Sequence, residues 1–310
     1  MSLVNNPAKL SACRKTAEKL KVGLTSSAVL LILAILAVIL GTVIAGGYKS
    51  LSWEFLTQPP TEGMTKGGIF PAIFGMVFSL IMMLIAVVPV GVATAVYLHE
   101  YARPGFFITK MIRGAVNNLA GVPSIVFGLF GLGFFIQFIG NGIDRSLGQS
   151  GLFGQPCILW ASLTLALMNL PIIIVATEEA LRAIPQEERA GALALGATKW
   201  QAIQHIVLPQ AIPGILTGVV LVVSRGAGEV APIMFTGAAY YLPYLPKLPT
   251  DQFMTLGYHI FVMTTQSPDI DATVPIAMGA TLVLLALTIS LNIIAIIIRS
   301  RTRSQLRKGR

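Results

Sequence analysis

The sequence predicts an all-α integral membrane protein with six transmembrane helices and both termini in the cytoplasm. Three observations carry this reading. The 310 residues have a mean hydropathy of +0.77, with 55% hydrophobic and only 11% charged residues. Ordinary soluble domains carry about 25% charged residues, and so few charges cannot cover a soluble surface of this length. Six apolar segments are also long enough to cross a bilayer, which takes about 20 residues of helix. Finally, seventeen of the 22 Lys and Arg residues fall in the tails and in the loops of one side. Lys49, Lys66, Arg145 and Lys247 fall on the other side, and Arg225 lies inside a span. Basic residues gather on the cytoplasmic side, and an even number of crossings returns both tails there.

A basic tail, residues 1–21, precedes the first span between Lys21 and Lys49. That apolar run is longer than the roughly 7–15 residues of a signal peptide, and no clear A-x-A site follows it. Residues 22–67 therefore read as an anchored helix with its outer loop. Residues 68–298 read as a core of five spans, and residues 299–310 as a second basic tail.

The second span lies between Lys66 and His99 and holds Pro71 and Pro89. The third follows Arg113 and runs to about Gly140. Gly121, Gly128, Gly131 and Gly133 give it a small-residue packing face. Pro123 either kinks this span or marks its start, and Asn117 and Asn118 are expected to satisfy backbone groups freed near it. The fourth span runs from about Pro156 to Thr177, the fifth from about Gln210 to Ala238, and the sixth from Asp271 to Arg299.

The longest outer loop, Ala239 to Asp271, opens with the proline-rich PYLPKLPTD, which resists helix and sheet interiors alike. FMTLGYHIFVMTTQ follows and is expected to lie flat at the outer interface. The loop serves either as a partner contact or as a plain connector.

Several function classes are excluded. Cys13 and Cys157 are the only cysteines, so there is no disulfide framework and no cysteine metal cluster. No G-x-x-x-x-G-K-[ST] is present to bind ATP, and the spans hold no HExxH, GxSxG or paired Asp. No cofactor is expected. The net charge of +9 comes from the tails and one-sided loops, which points to membrane topology rather than to nucleic acid.

The loop 178–209 is too polar to span and too patterned for coil. Ala190, Leu193, Ala197 and Trp200 recur at helical spacing, and Glu187 and Glu188 suit a helix N-terminus. Gly196 predicts a turn between two short helices, and Pro209 is expected to end the second. Acids and bases balance here, whereas helices resting on a membrane are rich in Lys and Arg. The loop therefore reads as a knob offered to another protein through Glu188, Leu193, Gly196, Ala197, Trp200, Ile206, Leu208 and Pro209.

A charged pair follows inside the fifth span. Arg225 is about 16 residues beyond Pro209, or roughly 24 Å of helix, near or just past the middle of the bilayer. An Arg there costs about 2.5–3.5 kcal/mol on insertion scales. Glu229, four residues on, is expected on the same helical face, with Gly226 and Gly228 leaving room and Pro232 bending the helix beyond. The pair is either a self-satisfied ion pair or the polar lining of a water-filled path, where a guanidinium fork fits an oxyanion. Arg182 either snorkels to the interface or belongs to an inner vestibule. Glu178 and Glu179 are expected to pair with it or with a docked partner.

The run AGALALGATKWQAIQHIVLP, from Ala190 to Pro209, resembles the EAA loop of ABC-importer permeases. Gly196 takes the glycine of that motif, and Ile206, Leu208 and Pro209 take its I-x-L-P. Ala190 stands where the motif has its leading Glu, and Gly191 where it has its first Ala. NLAGVPSIVFGLFGLGFF from Asn118, TEEALRAIP from Thr177 and SRGAGEVAPI from Ser224 resemble the phosphate-importer permeases, PstA type.

The resemblance extends from about Gly68 to the C-terminus. It implies an ABC type I importer fold and import of inorganic phosphate through half of a translocation path. It also implies a second permease of PstC type, two copies of an ABC ATPase of PstB type docked on the loop, and an extracytoplasmic phosphate-binding protein. ATP hydrolysis would belong to the partner and not to this chain. The alternatives are a permease for another oxyanion or small solute, and an ion-driven secondary transporter. Transporters of the latter kind often show inverted repeats, and no internal repeat is visible.

Overall fold

The computed structural model describes residues 7–103, 105–148 and 151–308. The outermost residues of the two basic tails, 1–6 and 309–310, lie outside the described residues, as does the side chain of Cys13. Six helices are long and apolar enough to cross a membrane: span 1 Glu18–Ser50, span 2 Phe70–Tyr101, span 3 Ser124–Leu147, span 4 Ile158–Arg182, span 5 Lys199–Gly226 and span 6 Ile270–Thr302. The only strand pair among the described residues is a two-residue antiparallel ribbon, Pro60–Thr61 with Lys66–Gly67. These six helices make the chain a multi-pass membrane protein.

Span 4 is the centre of the bundle, packed between spans 2 and 5. The seams are built from small residues. A Cβ on Gly91 would meet Ile173, one on Gly214 would meet Ala180, and one on Gly218 would meet Ala176. Lipid tails are as apolar as leucine, so close backbone approach, rather than exclusion of water, holds such helices together. Span 1 leans away from the bundle and touches it at its end, where Gly46 and Gly47 lie against Met278 and Gly279 of span 6.

The third crossing is split. Helix Phe107–Leu119 precedes residues 120–123, and span 3 starts afresh at Ser124 with Pro123 as its N-cap. The expected start after Arg113 therefore falls inside the earlier helix, and Pro123 marks a beginning rather than a kink. Proline cannot supply an N–H to a continuing ladder and disfavours helical geometry in the residue before it. Asn117 and Asn118 are exposed and make no side-chain hydrogen bond to the freed backbone. Of the four glycines, Gly128 and Gly131 form the packing face, against Ala231–Pro232 and Thr164, whereas Gly133 faces open space and Gly121 meets nothing beyond Asn118.

Span 5 begins eleven residues earlier than expected, at Lys199, and stops twelve earlier, at Gly226. Pro209 does not end a helix. A π-helical turn over Ile203–Val207 runs directly into Leu208–Gly226, with Pro209 in the first turn of that segment. The widened turn accommodates the missing proline N–H. Beyond the long outer loop, helix Leu256–Thr265 buries Leu256, Gly257, His259, Val262 and Met263. It is packed into the bundle rather than lying flat at an interface, because its apolar residues are spread around the helix and all can be covered by protein.

Candidate functional site

Arg225 and Glu229 meet at the broken end of span 5. Arg225 Nε lies 3.2 Å from Glu229 Oε1. The geometry differs from the expected shared helical face, since the helix stops at Gly226. Glu229 is returned to Arg225 by two tight turns, with Gly228 N–H donating to the Arg225 carbonyl at 3.2 Å and Glu229 N–H to that of Gly226 at 3.4 Å. A four-residue helix, Ala231–Met234, follows and places Pro232 at its start.

The break lies deep in the bundle. A Cβ on Gly226 would meet Leu80 and Met83 at 3.0–3.2 Å, the eleventh and fourteenth residues of span 2's 32. Non-helical backbone at such depth is tolerated only where protein buries it or where it lines a watery cavity. The Arg225 side chain is 43% exposed and that of Glu229 17%. A guanidinium at mid-depth on an open face of the chain cannot meet lipid without large cost, so this face requires a polar neighbour or water.

Asn169 lies at the same level, fully buried in span 4. Its Nδ2 donates to the Leu165 carbonyl at 2.8 Å and approaches Met83 Sδ at 3.6 Å, and its Oδ1 has no hydrogen bond. Asn169 is not among the residues expected from the sequence, although an Asn inside an apolar run is legible there.

The loop forms the predicted helix–turn–helix. Its first helix is Gln186–Ala194 and its second starts at Lys199. Gly196 makes the turn at φ +86°, a conformation glycine adopts without a Cβ penalty. Thr198 and Gln201 form a reciprocal capping box at the second helix. Ala192, Ala202, Ile203 and Val207 face inward and are buried. Leu193, Leu195 and Trp200 face outward at 49%, 91% and 55% exposure. Ala197, Ile206, Leu208 and Pro209 are half-buried at the base. Glu188 accepts a hydrogen bond from Gln210 Nε2 and so ties the first loop helix to span 5.

Arg182 lies apart from Arg225, at the loop end of span 4. It lines an open cavity of about 520 Å³ with His99, Glu100, Arg189 and residues of the loop. Glu178 does not pair with it. Glu178 instead takes both terminal nitrogens of Arg113, at 3.1 and 3.2 Å, and Arg113 also donates to the Leu98 carbonyl at 3.1 Å. Sequence order hides this pairing, because 65 residues separate the partners. No group of three metal-ligating side chains occurs among the described residues.

These features match a known family. Residues 87–304 match the binding-protein-dependent transport system inner membrane components. The chain is 31% identical over 295 residues to the probable ABC transporter permease protein YqgI of Bacillus subtilis, covering 91% of this chain and 95% of that one. It is 35% identical over 223 residues to the phosphate transport system permease protein PstA of Haemophilus influenzae, covering 72% and 74%. Its fold is similar to that of a chain in a bacterial ABC transporter involved in import of the acidic polysaccharide alginate. There the TM-score is 0.64 at 15% identity, covering 94% of this chain and 99% of that one. The chain belongs to the family of binding-protein-dependent transport system inner membrane components, as a permease subunit of an ABC importer, PstA type.

Proposed function

We propose that this permease imports inorganic phosphate, that Arg225 is the cation its path offers the anion, and that the loop around Gly196 receives force from a separate ATPase. The observation that carries the reading is the Arg225–Glu229 pair at the mid-depth break of span 5. Guanidinium presents a planar fork of donors that suits phosphate oxygens. Glu229 occupies one edge of that fork through Nε and leaves the terminal nitrogens for a ligand. Its negative charge also keeps the anion from binding too tightly to leave.

Half of the path belongs to this chain, and the open face beside Arg225 is where a second permease, of PstC type, closes it. The outward Leu193, Leu195 and Trp200 are the contact for one of two ATPase subunits of PstB type. An extracytoplasmic phosphate-binding protein delivers the anion to the far side. Both termini and the loop then lie in the cytoplasm, the basic tails at residues 1–21 and 299–310 flank the membrane, and residues 68–298 are the permease core. Relatives named as phosphate permeases support the choice of anion.

The test is Arg225→Gln. The variant is expected to reach the membrane and assemble at normal levels while phosphate uptake is lost. Normal uptake by a normally assembled variant refutes the role of Arg225. Competition by sulfate or molybdate at concentrations similar to phosphate refutes the choice of anion.

A further inference from the structure

At the loop end of span 2 the chain makes a bracket that the loop's own motif does not call for. Arg189, on the first loop helix, turns inward. Its side chain is 16% exposed and that of Glu100 is 8% exposed. Arg189 Nε and Nη2 both lie 3.0 Å from Glu100 Oε1. Its other bonds go to carbonyls at and just beyond the end of span 4, from Nη1 to Ile184 at 2.8 Å and Pro185 at 3.3 Å, and from Nη2 to Leu181 at 2.9 Å. The second loop helix reaches the same place. Lys199 Nζ donates to the Glu100 carbonyl and stands 4.9 Å over the Tyr101 ring. Both helices of the loop are thus fastened to two adjacent residues, Glu100 and Tyr101.

Those residues end span 2, whose helix runs without a gap from Phe70 to Tyr101. Seventeen residues back along it is Met83, against which Gly226 packs beside Arg225. We propose that Glu100 is a positioning residue for transport: through it the loop moves span 2, and span 2 carries that motion to the backbone break at Arg225. The inference rests on the reading of the loop as the ATPase contact. Span 5 joins the loop to Arg225 covalently, but its π-helical turn at Ile203–Val207 interrupts the regular ladder at the base of the loop. Span 2 has its π-helical turn at Tyr97–Tyr101, at the bracket itself, and between there and Met83 its α-helix continues through Pro89. A second, non-covalent lever therefore runs beside the first. The cavity flanked by His99, Glu100, Arg182 and Arg189 leaves space at the bracket for movement.

The experiment purifies the membrane complex through a tag on this chain, reconstitutes it, and measures ATP hydrolysis and phosphate uptake in the same vesicles. Four forms are compared: wild type, Glu100→Gln, Arg189→Gln, and the exchanged pair Glu100→Arg with Arg189→Glu. The expected result is that Glu100→Gln retains its ATPase and near wild-type hydrolysis, uptake per ATP falls at least tenfold, and the exchanged pair recovers most of it. Wild-type uptake per ATP in Glu100→Gln overturns the proposal. So does a parallel loss of hydrolysis and uptake, which marks a merely structural contact. If Glu100→Gln fails to assemble, the exchanged pair decides: recovery of coupled uptake upholds the lever, and failure overturns it. Absence of any ATPase from the wild-type complex refutes the underlying reading of the loop, a result distinct from all of these.

Discussion

Ser224 Oγ lies 2.7 Å from Asn292 Oδ1 and shares its one proton between that oxygen and the Val220 carbonyl, 2.8 Å away. This ties span 5 to span 6 one residue before Arg225. One residue after it, Gly226 is pressed against Leu80 and Met83 of span 2. Three consecutive side-chain directions, about 100° apart on a helix, are thereby assigned: Ser224 to span 6, Gly226 to span 2, and Arg225 to the open face. The direction of Arg225 is set by its two neighbours.

Asn292→Ala removes this tie without touching Arg225. A side-chain hydrogen bond between membrane helices is worth about 0.6 kcal/mol on average, with a maximum near 1.7, so the bundle should persist. The expected outcome is normal membrane levels with phosphate uptake reduced several-fold, mainly through a raised KM. Asn292→Gln, which keeps the amide, is expected to recover part of the loss. Uptake kinetics in whole cells check both.

Two glycines five residues apart should respond to alanine with opposite signs. Gly191 lies within the helix Gln186–Ala194 and faces open space, so Gly191→Ala should strengthen that helix by about 0.5–1 kcal/mol. Gly196 also faces open space but holds φ +86°, so Gly196→Ala should weaken the turn by about 1–2 kcal/mol. Hydrogen exchange of amides 186–202 measures both changes directly. Slower exchange in Gly191→Ala and faster exchange in Gly196→Ala is the expected pattern.

His259 makes the protein acid-sensitive. It is 2% exposed in helix Leu256–Thr265, its Nδ1 lacks a hydrogen bond, and burial pushes its pKa down to about 4. The unfolded value is near 6.5, so the folded state prefers the neutral ring. That preference is fully present above about pH 6.5. It is lost at about 1.4 kcal/mol per pH unit as the pH falls toward 4, on the order of 3 kcal/mol in all. Thermal unfolding between pH 7.5 and 4.5 should show this slope, and His259→Leu should flatten it.

Much of the architecture was legible in the chain alone. Segments that must leave water announce themselves by composition, so the six crossings and the polar loop between spans 4 and 5 could be read directly. The turn at Gly196 was legible because only a local backbone need was at stake. The Arg225–Glu229 pair was legible because charges are rare in apolar sequence. Only the tertiary structure decided where helices stop inside the apolar bundle. Span 5 ends at Gly226 and Pro209 is absorbed by a π-helical turn, since burial by protein and burial by lipid leave the same hydropathy. It also decided which distant charges meet. Glu100 with Arg189 and Arg113 with Glu178 are 89 and 65 residues apart. Sequence spacing says nothing of such pairs, because only packing around span 4 brings the loop ends of the helices within reach of one another.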